Sequence, residues 1–388
     1  MLCLLYLTVF TRENRLLYIT EEITALIPLY QIIINTIQER IQTGEFRKDD
    51  KLPSEAQLME EFNTSRITVT RALKELEHRG VIYRLKGKGS FVKGSGKKKY
   101  SDSKIISLVL PHKEDFFSGG QQYARQISQS CRERGYLCSL HYSDQSTTKE
   151  RQILDEIASH DVSGAIIYPI SNRNIASLSR MKIEGFPMVL LDRKLEELSL
   201  PVVTSDNFTG AFEAVSYLTA NGHKRIGFVG AEGTDVVQLR YKGYCHALME
   251  NGIPLDRDLL ITSFSGRDED EREVLDEQES MVLLKDLLKR DVSALFCVND
   301  LIAYRFMNAA RELQIPIPER LSLVGFDNLR YFNDTMVELT TVAQDFETIA
   351  RSSVSILIEK IESRKELRID DLIIPTTFLK GNTVFSFT

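Results

Sequence analysis

The residue types that could do chemistry gather first between Leu52 and Val92. Val69, Ala72, Leu73 and Leu76 follow the i, i+3, i+4, i+7 spacing of an apolar helix face. Ile67, Thr70, Arg71 and Lys74 then point the other way, with Arg66 and Thr68 in the first turn. Arginine pairs with guanine edges, threonine hydroxyls with phosphates, and apolar side chains with a thymine methyl. Further on, Lys86-Gly87-Lys88-Gly89 sits between two strand-like runs. Glycines beside lysines let a backbone approach a phosphate strand or enter a minor groove. Singly, these are an amphipathic surface helix and a basic turn. In this order they point to duplex nucleic acid. The candidate DNA-contacting residues are Ser54, Ser65, Arg66, Thr68, Thr70, Arg71, Lys86, Lys88 and Gly89.

A second group of polar and aromatic residues follows short apolar runs farther along. Pro111 to Phe117 follows Ile105–Leu110, Asp192-Arg193 follows Met188–Leu191, and Asn299-Asp300 follows Ala294–Val298. Gly325-Phe326-Asp327-Asn328 follows Leu321–Val324, and Arg240 comes soon after Phe228-Val229-Gly230. Carboxylates, amides and arginine can bond adjacent hydroxyls, and rings can cover the apolar face of a sugar or base. Asn299 and Asp300 fit the capping of a following helix equally well.

Elements must position both groups. Leu29–Thr43 has the pattern of a first helix closed by Gly44. Ser54 with Gln57 predicts a capping box behind Pro53, and Ser65 an N-cap after the turn Asn63-Thr64-Ser65. Gly80 stops that second helix, and Val81–Tyr83 and Ser90–Val92 make a hairpin. Gly94 to Lys99 and Ser101 to Ser103 form a charged, flexible linker. From Lys104 the pattern alternates. The runs just named, with Leu137–Leu140, Ala165–Tyr168 and Ile226–Val229, are separated by helical segments 121–134, 148–160, 174–184, 209–221, 236–251, 277–290 and 301–313. Strands alternating with helices build parallel sheets with both faces covered. So many units suit two lobes better than one sheet. The expected fold class is α/β, a two-lobed parallel-sheet body behind an N-terminal winged helix-turn-helix. Ligands of such sheets sit at the carboxyl ends of the strands.

The 388 residues leave room for two or three domains, and 43% apolar with 27% charged residues is ordinary for a globular chain. Residues 28–100 carry 15 Lys/Arg and 9 Asp/Glu, a balance of +6, against −6 for the whole chain and so −12 for the rest. A basic module on an acidic body suits local contact with nucleic acid. Five scattered cysteines without a CxxC pair predict a reducing cytoplasm, and six histidines show no metal-ligand spacing. Met1–Phe10 is apolar but too short to span a bilayer and lacks a basic start, so neither a membrane segment nor a secretory signal is expected.

LPSE, SRITVTRALKEL and GKGSFV, within the span from Pro28 to Val92, resemble the DNA-binding domain of the GntR family of bacterial regulators. Ala56 and Thr70 stand where many relatives have arginine. SDNFTGAFEAVSYLTANGHKRIGFVG, RYKGYCHALMENGI, ALFCVNDLIAYRFMNAARELQIPIPERLSLVGFDN and ELTTVAQDFETIA resemble the effector domain of LacI/GalR-type repressors, which is related to periplasmic sugar-binding proteins. The resemblance implies a ligand between two lobes joined by three crossovers, placed near residues 203, 328 and 343. It implies ligand contacts at Phe116, Phe117, Arg193, Arg240 and Asp300, with Asp192, Asn299, Asp327 and Gln344 as further candidates. The expected domains are an extension over 1–27, the winged helix over 28–93, a linker over 94–104 and the ligand-binding body over 105–388.

Together these imply a cytoplasmic, ligand-controlled transcription factor. It would repress sugar-utilisation genes, bind an operator in double-stranded DNA as a homodimer, and respond to a small sugar such as L-arabinose. Alternatives are a solute-binding protein and a regulator answering a non-sugar ligand such as a nucleobase. No P-loop, nucleophile elbow, HExxH or dinucleotide fingerprint is present, so no enzyme activity, cofactor or metal is expected.

Overall fold

The computed structural model describes residues 29–387 except 43–44, 47–48, 79–80, 86–87, 93–102, 112–118, 232, 265, 268–272, 330–336 and 364–369. The chain divides into two compact units, 1–99 and 100–388.

In the first unit α1 (Leu29–Gln42) turns Ile33, Ile34 and Ile37 inward. The helix α2 (Glu55–Glu61) begins at Ser54, whose Oγ accepts the Gln57 N–H while the Gln57 side chain accepts the Ser54 N–H at 2.8 Å. That reciprocal pair satisfies two donors a helix start leaves open. Asn63, at φ 45°, makes the turn into α3 (Arg66–His78). Val69, Ala72, Leu73 and Leu76 of α3 are buried with Leu52, Leu58, Ile82 and Val92. This is the apolar face the spacing predicts. Antiparallel β1 (Ile82–Leu85) and β2 (Gly89–Val92) form the hairpin, and Lys51 bridges Phe91 along its edge.

The second unit holds two parallel sheets. The six-stranded sheet combines β3 (Ile105–Leu110), β4 (Leu137–Tyr142), β5 (Gly164–Ile167), β6 (Met188–Leu191), β7 (Val202–Ser205) and β15 (Leu372–Ile374), in the order β15-β7-β6-β5-β3-β4. The four-stranded sheet combines β8 (Ile226–Val229), β9 (Leu260–Ile261), β12 (Ala294–Cys297) and β13 (Ser322–Val324), in the order β13-β12-β8-β9. Its central strands are apolar at every position because helices cover both faces. Two separate antiparallel pairs complete the unit, the small hairpin β10 (Gly266–Arg267) with β11 (Glu273–Val274), and β14 (Thr341–Ala343) with β16 (Thr377–Leu379). The helices are α4 (Gly120–Glu133), α5 (Thr147–Ser159), α6 (Ile175–Ile183), α7 (Asn207–Ala220), α8 (Asp235–Glu250), α9 (Glu277–Lys289), α10 (Asp300–Glu312) and α11 (Phe346–Ser363). Ser146, Asp206, Thr234, Asp276 and Asn299 cap α5, α7, α8, α9 and α10 with their side chains.

Each sheet has its own core. Ile106, Leu108 and Val189 pack with α11, while Phe228, Phe296 and Leu323 pack with α7, α8 and α10. The chain passes between sheets after Ser205, after Ala343 and after Ile374. The passage expected near 328 is not one. Asp327 pairs with Ala343 and takes its backbone bond from Val342, so this stretch stays beside β14. Strands β7, β14, β15 and β16 and helix α11 were not anticipated. Unlike the anticipated strands of similar length, β14, β15 and β16 are not buried at every position, and β7 and β14 each include a threonine, so no continuous apolar run marks those two.

Candidate functional site

In the first unit the exposed side of α3 carries Arg66, Ile67 and Arg71, with Ile67 83% exposed. Thr68 and Thr70 are half-buried beside them, and Ser54 and Ser65 are exposed. Both serines act as caps: the Ser65 Oγ accepts the Thr68 N–H at 3.4 Å and lies 3.0 Å from the Thr68 hydroxyl. The Arg71 guanidinium lies over the Tyr30 ring at 4.0 Å, which holds it against α1. Arg66 Nε donates to Glu55 at 3.1 Å and Arg84 Nη2 donates to the other oxygen at 2.5 Å. Glu55 therefore links the start of α3 to the hairpin, a role that nothing in its local spacing announces. Lys88 and Gly89 are exposed at the hairpin tip, and Gly89 sits at φ +115°, where a side chain is strained. Lys86 lies outside the described residues.

In the second unit the focus is Arg240, 4% exposed on α8. Its Nε donates to Asn207 at 2.8 Å, its Nη1 to the Val298 carbonyl, and its Nη2 lies 3.2 Å from the Asp327 carboxylate. The Phe326 ring lies 3.6 Å beneath the guanidinium. Gln344 donates to Asp327 at 2.6 Å and accepts the Ser205 hydroxyl at 2.6 Å. One network thus joins α8, the loop after β13 and two of the passages between sheets. Burial pushes the Asp327 carboxyl up to about 6 against the pull of Arg240 and Gln344, and Asp192 adds to the rise.

Asp192 ends β6 in the other lobe, buried, at φ 65°. Asp327 stands three residues past β13, at φ 115°. Positive φ at non-glycine residues costs about 1–3 kcal/mol and collects at functional sites. Tyr123 donates its hydroxyl to Asp192 at 3.3 Å, and Tyr168 stands edge-on to it. Burial, then the nearby Asp192 carboxylate, raise both phenols, so both remain donors. Arg193 stacks on Tyr168 at 5.2 Å and donates Nη1 to the Ile170 carbonyl at 2.6 Å. Its Nε is buried without a hydrogen-bond partner. The two lobes meet beside this loop, where the Lys194 N–H donates to Asp235 at 2.9 Å.

Arg240, Asp327, Gln344, Asp192 and Arg193 thus lie at the facing carboxyl ends of the two sheets. Asn299 caps α10 by accepting the Ile302 N–H at 2.9 Å. Asp300, expected to meet ligand, is 0% exposed and takes bonds from the Leu329 N–H at 2.7 Å and the Thr341 hydroxyl at 2.6 Å. Its carboxylate braces the strand-end loops from below, because a buried charge needs donors on both oxygens. Phe116 and Phe117 lie outside the described residues. Tyr123, Tyr168, Asn207 and Ser205 were missed. Tyr168 stands one residue past β5, so the strand-end rule that selects Asp192 could have found it.

Among the described residues, no group of three or more His, Cys, Asp and Glu is arranged to hold a metal ion, and no helix is long and apolar enough to cross a membrane.

Comparison with known proteins matches residues 29–92 to the bacterial regulatory proteins of the gntR family and residues 215–384 to the periplasmic binding protein-like domain. The arabinose metabolism transcriptional repressor of Geobacillus stearothermophilus is 27% identical over 363 residues, 92% of this chain and 98% of that protein. The HTH-type transcriptional repressor CytR of Escherichia coli is 29% identical over 271 residues, 69% of this chain and 75% of its own. Among solved structures, the transcriptional regulator CelR–cellobiose complex has a TM-score of 0.64 at 21% identity, covering 82% of this chain and 90% of that one. A LacI family transcriptional regulator from Enterococcus faecium with bound ribose has a TM-score of 0.62 at 24% identity, covering 73% of this chain and all of its own. These structures share the fold.

Proposed function

We propose, from a chain that carries a gntR-type DNA-binding domain followed by a periplasmic-binding-protein-like domain, that it is a sugar-responsive transcriptional repressor. The observation that carries this reading is the Arg240–Asp327–Gln344–Ser205 network, which lies where the lobes face each other and includes residues on two of the passages between them. A ligand bound there contacts both lobes, so it can favour one arrangement over another. The relative matched over 92% of this chain is a named repressor of arabinose metabolism, which supports L-arabinose as the first sugar to test.

Arg66, Thr68, Arg71, Lys88 and Gly89 read or grip duplex DNA, with Ser54, Ser65, Thr70 and Lys86 beside them. Two chains, paired through their ligand-binding domains, place two α3 helices on a near-palindromic operator in the cytoplasm. Arg193, Arg240, Asp327, Asp192 and Gln344 bond sugar hydroxyls, and Phe116 and Phe117 cover the apolar face. The sugar releases DNA only by the difference in its affinity for the two arrangements, commonly about 1–3 kcal/mol.

A gel shift on the DNA upstream of the chain's own gene, with and without L-arabinose, tests this. A retarded band that the sugar abolishes is expected. No retardation on that DNA, or no heat from any neutral sugar in calorimetry, would remove the reading.

A further inference from the structure

Glu150, on α5, is 1% exposed and lies behind the sheet ends rather than among the residues read as ligand contacts. A carboxylate there loses its water, a cost that burial alone would not repay. Its oxygens are both used. Oε1 accepts the Ile170 N–H at 2.9 Å and Oε2 accepts the Asn174 amide at 2.7 Å. Asn174 also donates to the Thr147 carbonyl at 2.7 Å, which fixes the loop after β5 to the start of α5.

The same loop is held from its other side by Arg193. Its Nη1 donates to the Ile170 carbonyl at 2.6 Å and reaches the Pro169 carbonyl at 3.4 Å. Pro169 C=O and Ile170 N–H belong to one peptide unit. An anion on that N–H polarises the unit toward the Pro169 carbonyl, and by pinning the Ile170 nitrogen it also fixes the Ile170 carbonyl, on the next peptide, which takes the shorter Nη1 bond. Glu150 also attracts Arg193 through space. Meanwhile Arg193 Nε is buried and unpartnered, and its guanidinium stacks on Tyr168. The arginine is therefore held by two carbonyls and a ring, with its buried Nε donor unused.

From this the geometry points to Glu150 as a positioning residue for the sugar site: it sets the orientation of Arg193 through Ile170, whose N–H it accepts and whose carbonyl takes the arginine, and so sets ligand affinity without touching ligand. The inference rests on the sugar-binding reading of the cleft. It predicts that Glu150 and Arg193 act as one unit rather than as two independent contributors.

The test is a double-mutant cycle on the full chain. Calorimetry is run with L-arabinose, D-ribose and cellobiose, and crystal structures of the variants are solved. Glu150→Gln, which keeps an acceptor for the Ile170 N–H and loses the charge, should weaken the best sugar by about tenfold, and by less than about twofold in an Arg193→Ala background. The Arg193 guanidinium should leave the Ile170 carbonyl in both Glu150→Gln and Glu150→Ala. Operator affinity without sugar should stay unchanged, which a general loss of fold would not allow. Equal losses in both backgrounds, or an Arg193 that keeps its pose in both Glu150 variants, would overturn the inference. Should no sugar bind the parent protein, the sugar reading falls, while the position of Arg193 in the crystals still decides the role of Glu150.

Discussion

Gln344 and Asp327 meet at 2.6 Å, amide nitrogen to carboxylate, where the chain leaves β14 for the other lobe. The carboxylate is nearly enclosed, and its pKa of about 6 against an ordinary 3.8 makes the folded state hold its proton more tightly than the unfolded chain. Stability from this group is therefore complete below about pH 4 and is lost as pH climbs through 6. Asp327→Asn should flatten that decline by about 1–3 kcal/mol between those limits. Thermal unfolding of both proteins from pH 4 to 7 measures the difference. Asp300 also titrates above its usual range, through burial and then the neighbouring Asp327 carboxylate, so Asp327→Asn eases its rise as well and flattens the decline in the same direction.

At the DNA-binding head, Arg66 and Lys88 should fail in different ways. Arg66→Ala is expected to cost about 1–3 kcal/mol of operator affinity and to relax discrimination at one base pair. Lys88→Ala should weaken all sequences alike and lower the slope of log affinity against log salt by about one. Fluorescence anisotropy across a salt series, on operator and scrambled duplexes, separates them. Equal affinities for both variants and the parent would mean another face meets the DNA.

Helices α7 and α8 cross where Gly243 has almost no room. A Cβ there would stand 2.4 Å from the Phe208 carbonyl and 2.9 Å from the Ala211 Cβ. Because the first of these is backbone, neither helix can give way cheaply. Gly243→Ala should therefore destabilise the ligand-binding unit by about 1–3 kcal/mol. Two transitions are expected on heating, one per unit, and only the one belonging to this unit should fall.

For Asp300 the internal role predicts a stability defect larger than any contact with sugar would give. Asp300→Ala leaves the Leu329 N–H and the Thr341 hydroxyl without their acceptor, at about 1–3 kcal/mol for each buried donor. Urea unfolding should show the loss in the absence of sugar. Arg193→Ala, by contrast, should cost less, about 0.5–1.5 kcal/mol of unfolding free energy, since Arg193 is half-buried and gives up one short hydrogen bond to a carbonyl.

Local rules carried the head almost completely. The caps at Ser54 and Ser65, the buried stripe from Val69 to Leu76 and the hairpin beside Gly89 each depend on neighbours within a few residues. The alternation of strands and helices after Lys104 likewise gave two parallel sheets, and the strand-end rule picks out Asp192, Arg193 and Asp327, which the fold places beside the ends of β6 and β13. It does not reveal that Asp300 is buried on Leu329 and Thr341, because a sequence shows that a carboxylate follows a strand but not which donors wait around it.

What the sequence by itself determined is the kind of each element and the identity of the chemical groups at the sheet ends, since periodicity and capping are short-range. Only the tertiary structure decided which of those groups face one another. Arg240 reaches Asn207 across 33 positions, and Asp300 reaches Thr341 across 41. Contacts so distant along the chain follow from how helices and sheets pack, and no local pattern encodes that.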